Sequence, residues 1–263
     1  MNPPQHSHLP NLTRGYAICL VGTLIWSLTG VLIRHLTLNY QMPALVLAFW
    51  RDVFVVLTLL LVFSLLKPAL LRIERRHLRF LLVYGAVLAG FNVLWTLSVT
   101  LNGASVATVL IYSSPAYTAL VGSRLFGERL GISKILLILG SLLGCVLVAG
   151  AYQPQAWQLN PLGLVIGLVS AVGFTAYSLM GKSASQRGLD SWTALLYTFA
   201  TAACLLFLLN SLAAWVGLEQ FSGGMFFLGN SLDGWGVLLL LAVGPTIGGF
   251  GLYTLSMNDL PAG

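Results

Sequence analysis

Two adjacent charges, Arg51 and Asp52, stand inside an otherwise apolar run from 43 to 66. Both lie well within the run, where a charge costs roughly 2.5 to 3.5 kcal/mol to insert, so intramembrane charges mark function or paired structure. Two readings follow. In one, Asp52 carries a coupling proton and Arg51 attracts a carboxylate. In the other, the pair makes ion pairs or hydrogen bonds that hold neighbouring helices together. Successive residues on a helix point about 100° apart, so the two are not expected to meet as residues four apart do.

A second set of residues joins hydroxyls and amides to aromatic rings. Asn92, Trp95, Thr96 and Ser98 make one side of the run 78–99 polar, and Tyr112, Ser113, Ser114 and Tyr117 surround Pro115 in the middle of the run 104–126. A proline there removes a backbone hydrogen bond and bends the helix. Polar groups at membrane depth face the bundle or a wet cavity. Trp26, Asn92, Trp95, Tyr112, Ser114, Tyr177 and Tyr253 are therefore predicted to line a central cavity, with Arg51, Asp52, Pro115 and Glu128 as coupling or gating residues. Arg124 lies four residues before Glu128, the spacing at which the two pair along a helix. An aromatic-rich, weakly charged cavity suits amphipathic or aromatic solutes. Trp157, Trp215 and Trp235 fall near run ends and read as interface anchors.

Catalytic and metal chemistry finds no motif. Cys19, Cys145 and Cys204 lie in apolar runs without His or Cys at ligand spacing, and His35 and His77 fall near opposite run ends. No zinc-protease helix, activated serine or phosphate-binding loop is present, so neither an enzyme nor ATP-driven transport is expected, and no cofactor.

The elements that position these residues follow from solvent. Of 263 residues, 57% are hydrophobic and 8% charged, against roughly a quarter charged in soluble domains. The apolar residues come in runs of about 20, the length a helix needs to cross a hydrocarbon core of about 30 Å. A β-barrel would alternate apolar and polar residues in short segments, and the runs here do not. The fold class is an all-α polytopic membrane protein, with spans predicted at 14–37, 43–66, 78–99, 104–126, 131–151, 161–182, 191–216 and 234–257. The connection 217–233 contains Ser222-Gly223-Gly224 and reads as a flexible outer loop. The first run exceeds a signal-peptide core, so the first span is expected to be retained behind a cytoplasmic tail, 1–13.

Net charge of +6 does not point to nucleic acid, because the basic residues sit between apolar runs. With the N-terminus in the cytoplasm, eleven of the 13 Lys and Arg residues face inward, Arg34 alone faces outward and Arg51 is within a span. That asymmetry predicts the orientation, with the N-terminus in the cytoplasm. The cluster Lys67–Arg79 is expected along the inner headgroups.

Internal symmetry adds a mechanism. At a shift of 158, Gly90, Leu94, Thr96, Leu97, Ser98 and Ala104 meet Gly248, Leu252, Thr254, Leu255, Ser256 and Ala262, and Trp95 meets Tyr253. At a shift of 148, Gly15, Leu20, Trp26 and Arg34 meet Gly163, Leu168, Phe174 and Lys182. A unit of five spans is odd, so two copies insert with opposite orientation, the arrangement that gives a site at the midplane open to either side in turn. The expected divisions are a first repeat at 14–151 and a second at 161–263, the latter with three helices.

The stretch from Gly103 to Gly150 resembles the drug/metabolite transporter superfamily, specifically its EamA-type members. The matching residues are Asn102-Gly103-Ala104-Ser105, the mid-span Pro115, then Leu125-Phe126-Gly127-Glu128-Arg129-Leu130, with Gly140 and Gly144 beyond. Pro43 and Phe49-Trp50-Arg51 resemble further positions of that pattern, with the order around Arg51 altered. The resemblance implies a ten-helix bundle of two inverted five-helix repeats that moves amino acids, metabolites or hydrophobic compounds outward across the bacterial inner membrane. Gly263 aligns with Ser105, so the expectation is eight transmembrane helices of ten and a cavity only partly walled. The expected partners are a small-molecule substrate and the lipid bilayer, with a homodimer left open and no nucleic acid. The competing reading is a non-transporting scaffold or subunit that needs a partner to complete the bundle.

Overall fold

The computed structural model describes residues 12–126, 131–148, 152–154, 160–217, 222–256 and 259–260. Among these, every regular element is helical. In chain order they are α1 (Leu12–Trp26), α2 (Leu28–Asn39), α3 (Ala44–Leu66), a 3₁₀ turn (Pro68–Leu71), α4 (Arg75–Ile111), α5 (Ser114–Phe126), α6 (Ile132–Val148), α7 (Pro161–Gln186), α8 (Ser191–Trp215), α9 (Leu232–Leu241), a π-helical stretch (Ala242–Phe250) and α10 (Gly251–Ser256). Each predicted span has its helix. At least six helical stretches are long and apolar enough to cross a membrane.

One of those stretches, Arg75–Leu125, is 51 residues long. A straight helix of that length would run about 75 Å, far more than one crossing needs. The chain instead turns back at Gly103, whose φ of 78° and ψ of 162° are conformations glycine adopts without steric cost. Asn160 fixes the turn from outside: its N–H donates to Asn102 Oδ1 at 3.0 Å, and Asn102 Nδ2 donates to its carbonyl at 3.3 Å. Asn160 also caps α7, accepting from the Leu162 N–H at 3.0 Å with Pro161 at the first helical position.

The bundle's exterior is apolar and its interior carries polar groups, the reverse of a soluble domain. Leu20, Leu24, Leu65, Leu137 and Leu208 are exposed, whereas Arg51, Asp52, Asn92 and Thr96 are buried. α4 packs chiefly on α7 and α8, α3 on α8, and α1 on α10 and the π-helical stretch. Small residues permit those approaches, as between helices in lipid. A methyl group placed on Gly249 would fall 2.6 Å from Trp26 Cβ and 2.9 Å from its Cα.

Two features depart from expectation. The connection after α8 is docked where it is described: Trp50 Nε1 donates to the Met225 carbonyl, and Asn210 both donates to the Gly223 carbonyl and accepts from its N–H. Leu228 is buried there, and the Phe226 ring lies 5.6 Å from that of Trp50, so apolar burial anchors a segment whose glycines suggested flexibility. Trp235 is likewise a packing residue, edge-on to Trp50 at 5.0 Å and donating to the Gly229 carbonyl at 3.0 Å, while Trp215 is 84% exposed at the end of α8.

Pro245 lies inside the last apolar run, 234–257. It cannot donate to the Leu241 carbonyl four residues earlier, and the Thr246 hydroxyl takes that carbonyl at 2.8 Å. The stretch around it is π-helical, the local adjustment that re-satisfies backbone around a membrane proline.

Candidate functional site

Trp26 lies on one face of the first span, where α1 passes into α2 at Ser27. Thr23 donates its hydroxyl to the Cys19 carbonyl at 2.8 Å and Ser27 to the Leu24 carbonyl at 2.7 Å, bonds of the kind that bend helices. Ser27 keeps helical dihedrals, so Thr23, Trp26, Ser27 and Gly30 face one cavity of about 340 Å³ from a single stripe. Opposite them stand Thr108, Ile111, Tyr112 and Pro115. Each set is spaced i, i+3, i+4, i+7, one stripe of a helix.

Pro115 shapes the second stripe. The helix is interrupted at Tyr112 and Ser113, as its missing N–H requires, and α5 begins at Ser114. The Thr175 hydroxyl of α7 lies 3.3 Å from the Ser114 carbonyl and 2.9 Å from that of Ala171, tying the restarted helix to its neighbour.

Phe91, Asn92 and Trp95 of α4 supply the third wall. Twenty residues of straight helix separate Asn92 from Tyr112 by about 30 Å, so their sharing one cavity is a consequence of the reversal at Gly103. Phe174, Phe250 and Tyr253 close the remaining side. Trp26 is the hub of these rings, with centroids 5.4 Å from Phe174, 4.5 Å from Phe250 and 5.7 Å from Tyr253. The cavity is at the small end of the range of about 300–1,000 Å³ for small-molecule sites and shares their largely aromatic lining.

Among the described residues, its one charged wall residue is Arg51. Contrary to the expectation for neighbours on a helix, Arg51 does reach Asp52: its Nε and Nη2 lie 3.2 and 3.1 Å from Asp52 Oδ1. The long arginine side chain folds back along the helix, which the 100° separation of the two Cβ directions does not prevent. The pair is 2% and 0% exposed. Asp52 Oδ2 accepts from Asn92 Nδ2 at 3.0 Å, so α3 and α4 are joined through a carboxylate with both oxygens occupied. A buried pair survives on such additional hydrogen bonds.

Among the described residues, two buried atoms of cavity-lining residues have no partner, Asn92 Oδ1 and the Thr29 hydroxyl. The amide orientation of Asn92 is fixed by chemistry, because the flipped form would set its carbonyl against a carboxylate. A buried polar atom left unpaired costs about 1 to 3 kcal/mol.

Of the residues singled out from sequence, Trp26, Arg51, Asn92, Trp95, Tyr112, Ser114, Pro115 and Tyr253 line this cavity. Asp52 lies behind Arg51 and Asn92. Tyr177 does not line it: its ring packs 5.0 Å from Tyr84 and 5.5 Å from Phe250, and its hydroxyl meets the Thr254 hydroxyl at 3.4 Å. Ser98 turns away from the cavity and donates to the Gly163 carbonyl at 3.3 Å. Glu128 and Trp157 lie outside the described residues. Thr29, Phe91 and Thr108 were missed; the helical spacing of Thr108 with Tyr112 and Pro115 was the signal available in the sequence.

Known proteins bear on this geometry. A crystal structure described only as that of a protein superposes with a TM-score of 0.72, covering 95% of this chain and 80% of its own at 18% identity, a likeness of fold. No curated protein matches the sequence. The EamA-like transporter family matches residues 13–150, which is more than half of the chain and includes α1 to α6. The chain is a multi-pass membrane protein belonging to the EamA-like transporter family.

Proposed function

We propose that the protein is a secondary-active transporter that exports small metabolites, amino acids or amphipathic compounds by alternating access of the central cavity. The observation that carries this reading is where the repeat-paired residues lie. Trp26 pairs with Phe174, Asn92 with Phe250 and Trp95 with Tyr253 in the internal alignment, and all six line the same cavity. A solute site at the interface of two inverted halves, 14–151 and 161–263, is what allows one half to rock on the other and open the site to either side.

In this reading the basic end of the bundle, with Lys67, Arg75, Arg76, Arg79 and Arg187, faces the cytoplasm of a cell whose inner membrane holds the protein. At that end α1 and α7 pack against Leu260: a methyl group on Gly15 would come 2.8 Å from Leu260 Cγ, and Lys182 donates to the Leu260 carbonyl. Trp26, Asn92, Trp95, Tyr112, Ser114 and Tyr253 contact solute. Arg51 and Asp52 set the local field, and Pro115 is the point about which α5 moves.

The test is efflux from proteoliposomes loaded with a labelled panel of amino acids and metabolites, compared with protein-free vesicles. Saturable efflux of at least one solute supports the reading. Absence of net flux across the panel, with protein shown folded and inserted, overturns it.

A further inference from the structure

The basic end of the bundle carries a surface that the cavity does not use. From Lys67 to Arg79 the chain holds Lys67, Arg72, Arg75, Arg76 and Arg79 against a single acid, Glu74. Glu74 is spent on Arg76, at 2.6 Å. Among the described residues, Lys67, Arg72, Arg75 and Arg79 have no carboxylate partner. Arg187 at the end of α7 adds a cation beside them, its guanidinium 4.4 Å from the centre of the Phe80 ring. The segment that joins α3 to α4 is docked on α8. The Thr193 hydroxyl donates to the Leu70 carbonyl at 2.9 Å and the Tyr197 hydroxyl to that of Leu71 at 2.7 Å. Leu70, Leu71 and Ile73 pack against the core, while Lys67, Arg72, Arg75 and Arg79 are exposed.

The first turns of α4 join these cations to an apolar wall. Arg75, Leu78, Arg79, Leu82 and Val83 are spaced i, i+3, i+4, i+7, i+8, one stripe of a helix, and all five are exposed. The arginines stand toward the helix start and Leu82 and Val83 lie one turn deeper. The end of α3 repeats the order, with exposed Leu65 and Leu66 directly before Lys67. A soluble anion has a use for the cations alone. A phospholipid matches both parts, its phosphate at the guanidinium groups and an acyl chain along the leucines. Charge then chooses among lipids. Arg75 and Arg79 repel each other at the i, i+4 spacing, and the first turn of α4 holds no acid to offset them. An anionic headgroup relieves that repulsion, whereas a zwitterionic one brings an ammonium group among unpaired cations.

We propose that this face binds an anionic phospholipid from the leaflet at the basic end of the bundle. The phosphate sits at Arg75 and Arg79, with Lys67 and Arg72 beside it, and an acyl chain runs along Leu78, Leu82 and Val83. The proposal is independent of the transport reading.

The probes are phosphatidylglycerol (anionic) and phosphatidylcholine (zwitterionic), offered at equal concentration to the purified chain in detergent, with bound lipid counted by native mass spectrometry. Phosphatidylglycerol is expected to be preferred at least fivefold. Arg75→Gln together with Arg79→Gln is expected to bring the preference close to parity, with the unfolding midpoint in phosphatidylcholine micelles unchanged. Arg34→Gln, which removes an exposed cation at the opposite end, is expected to leave the preference as it is. Leu78→Ser together with Leu82→Ser keeps every charge and is expected to weaken phosphatidylglycerol binding severalfold. Inorganic phosphate in large excess is expected not to displace the lipid. Equal uptake of the two lipids overturns the proposal, as does an undiminished preference in the folded double glutamine variant. A loss in Arg34→Gln as large as in that variant overturns it in favour of diffuse attraction to the whole chain. Displacement by inorganic phosphate, or full binding in the double serine variant, overturns it in favour of a site for a free anion.

Discussion

Asp52 is held at Oδ1 by Arg51 and at Oδ2 by Asn92, in a place no water reaches. Removing its charge leaves the guanidinium of Arg51 buried and unpaired, which costs about 3 to 5 kcal/mol in comparable buried pairs. Asp52→Asn is therefore expected to lower the thermal unfolding midpoint sharply in detergent. Replacing both members, Arg51→Met with Asp52→Leu, removes both buried charges, and the double variant is expected to lose less stability than the two single variants summed. Additive losses in that cycle would show that the pair is not coupled. Arg51 and Asp52 were legible in the sequence as charges among apolar residues. Their bonding to each other was not, since it depends on how far an arginine side chain folds back. The partnership with Asn92, 40 residues away, required the packing of α3 on α4.

The elements depart from straight helices at particular residues. Gly103 and the interruption before Pro115 place cavity residues, and Pro245 shifts its stretch to π-helical bonding. Hydropathy located every span, because lipid imposes the same length on each. It did not locate Pro245, whose neighbours are as apolar as the rest of the run and whose freed carbonyl is satisfied by Thr246. The polarity of Tyr177 and of its neighbours in the run points to the cavity, but the Tyr177 ring packs on Tyr84. Two measurements belong to this scale. Gly249→Ala forces a methyl group against the backbone of α1 at Trp26, so a loss of about 1 to 3 kcal/mol is expected from overpacking, read by thermal unfolding; an unchanged midpoint would mean that α1 and the π-helical stretch are loosely packed. Pro115→Ala restores an N–H where the helix breaks, so α5 is expected to continue α4 with unchanged or slightly greater stability and slower solute flux. Flux equal to that of the native chain would remove Pro115 as a hinge.

For the whole molecule, the basic and the opposite ends of the bundle set orientation. Single cysteines introduced at Arg75 and at Gln41 in intact cells are expected to differ in labelling by an impermeant thiol reagent, with Gln41 labelled and Arg75 protected. The reverse pattern would invert the topology. The central claim, that solute passes through the cavity where the repeat-paired residues meet, has a more direct test at Gly30. Gly30 lines the cavity, and a methyl group built on it meets nothing within 4 Å. Gly30→Leu therefore starts from open space beside the cavity, and leucine is the better helix former. The account predicts that solute efflux from proteoliposomes containing Gly30→Leu falls at least tenfold while the unfolding midpoint stays equal or rises. Native efflux from a folded Gly30→Leu protein would show that the cavity is not the path.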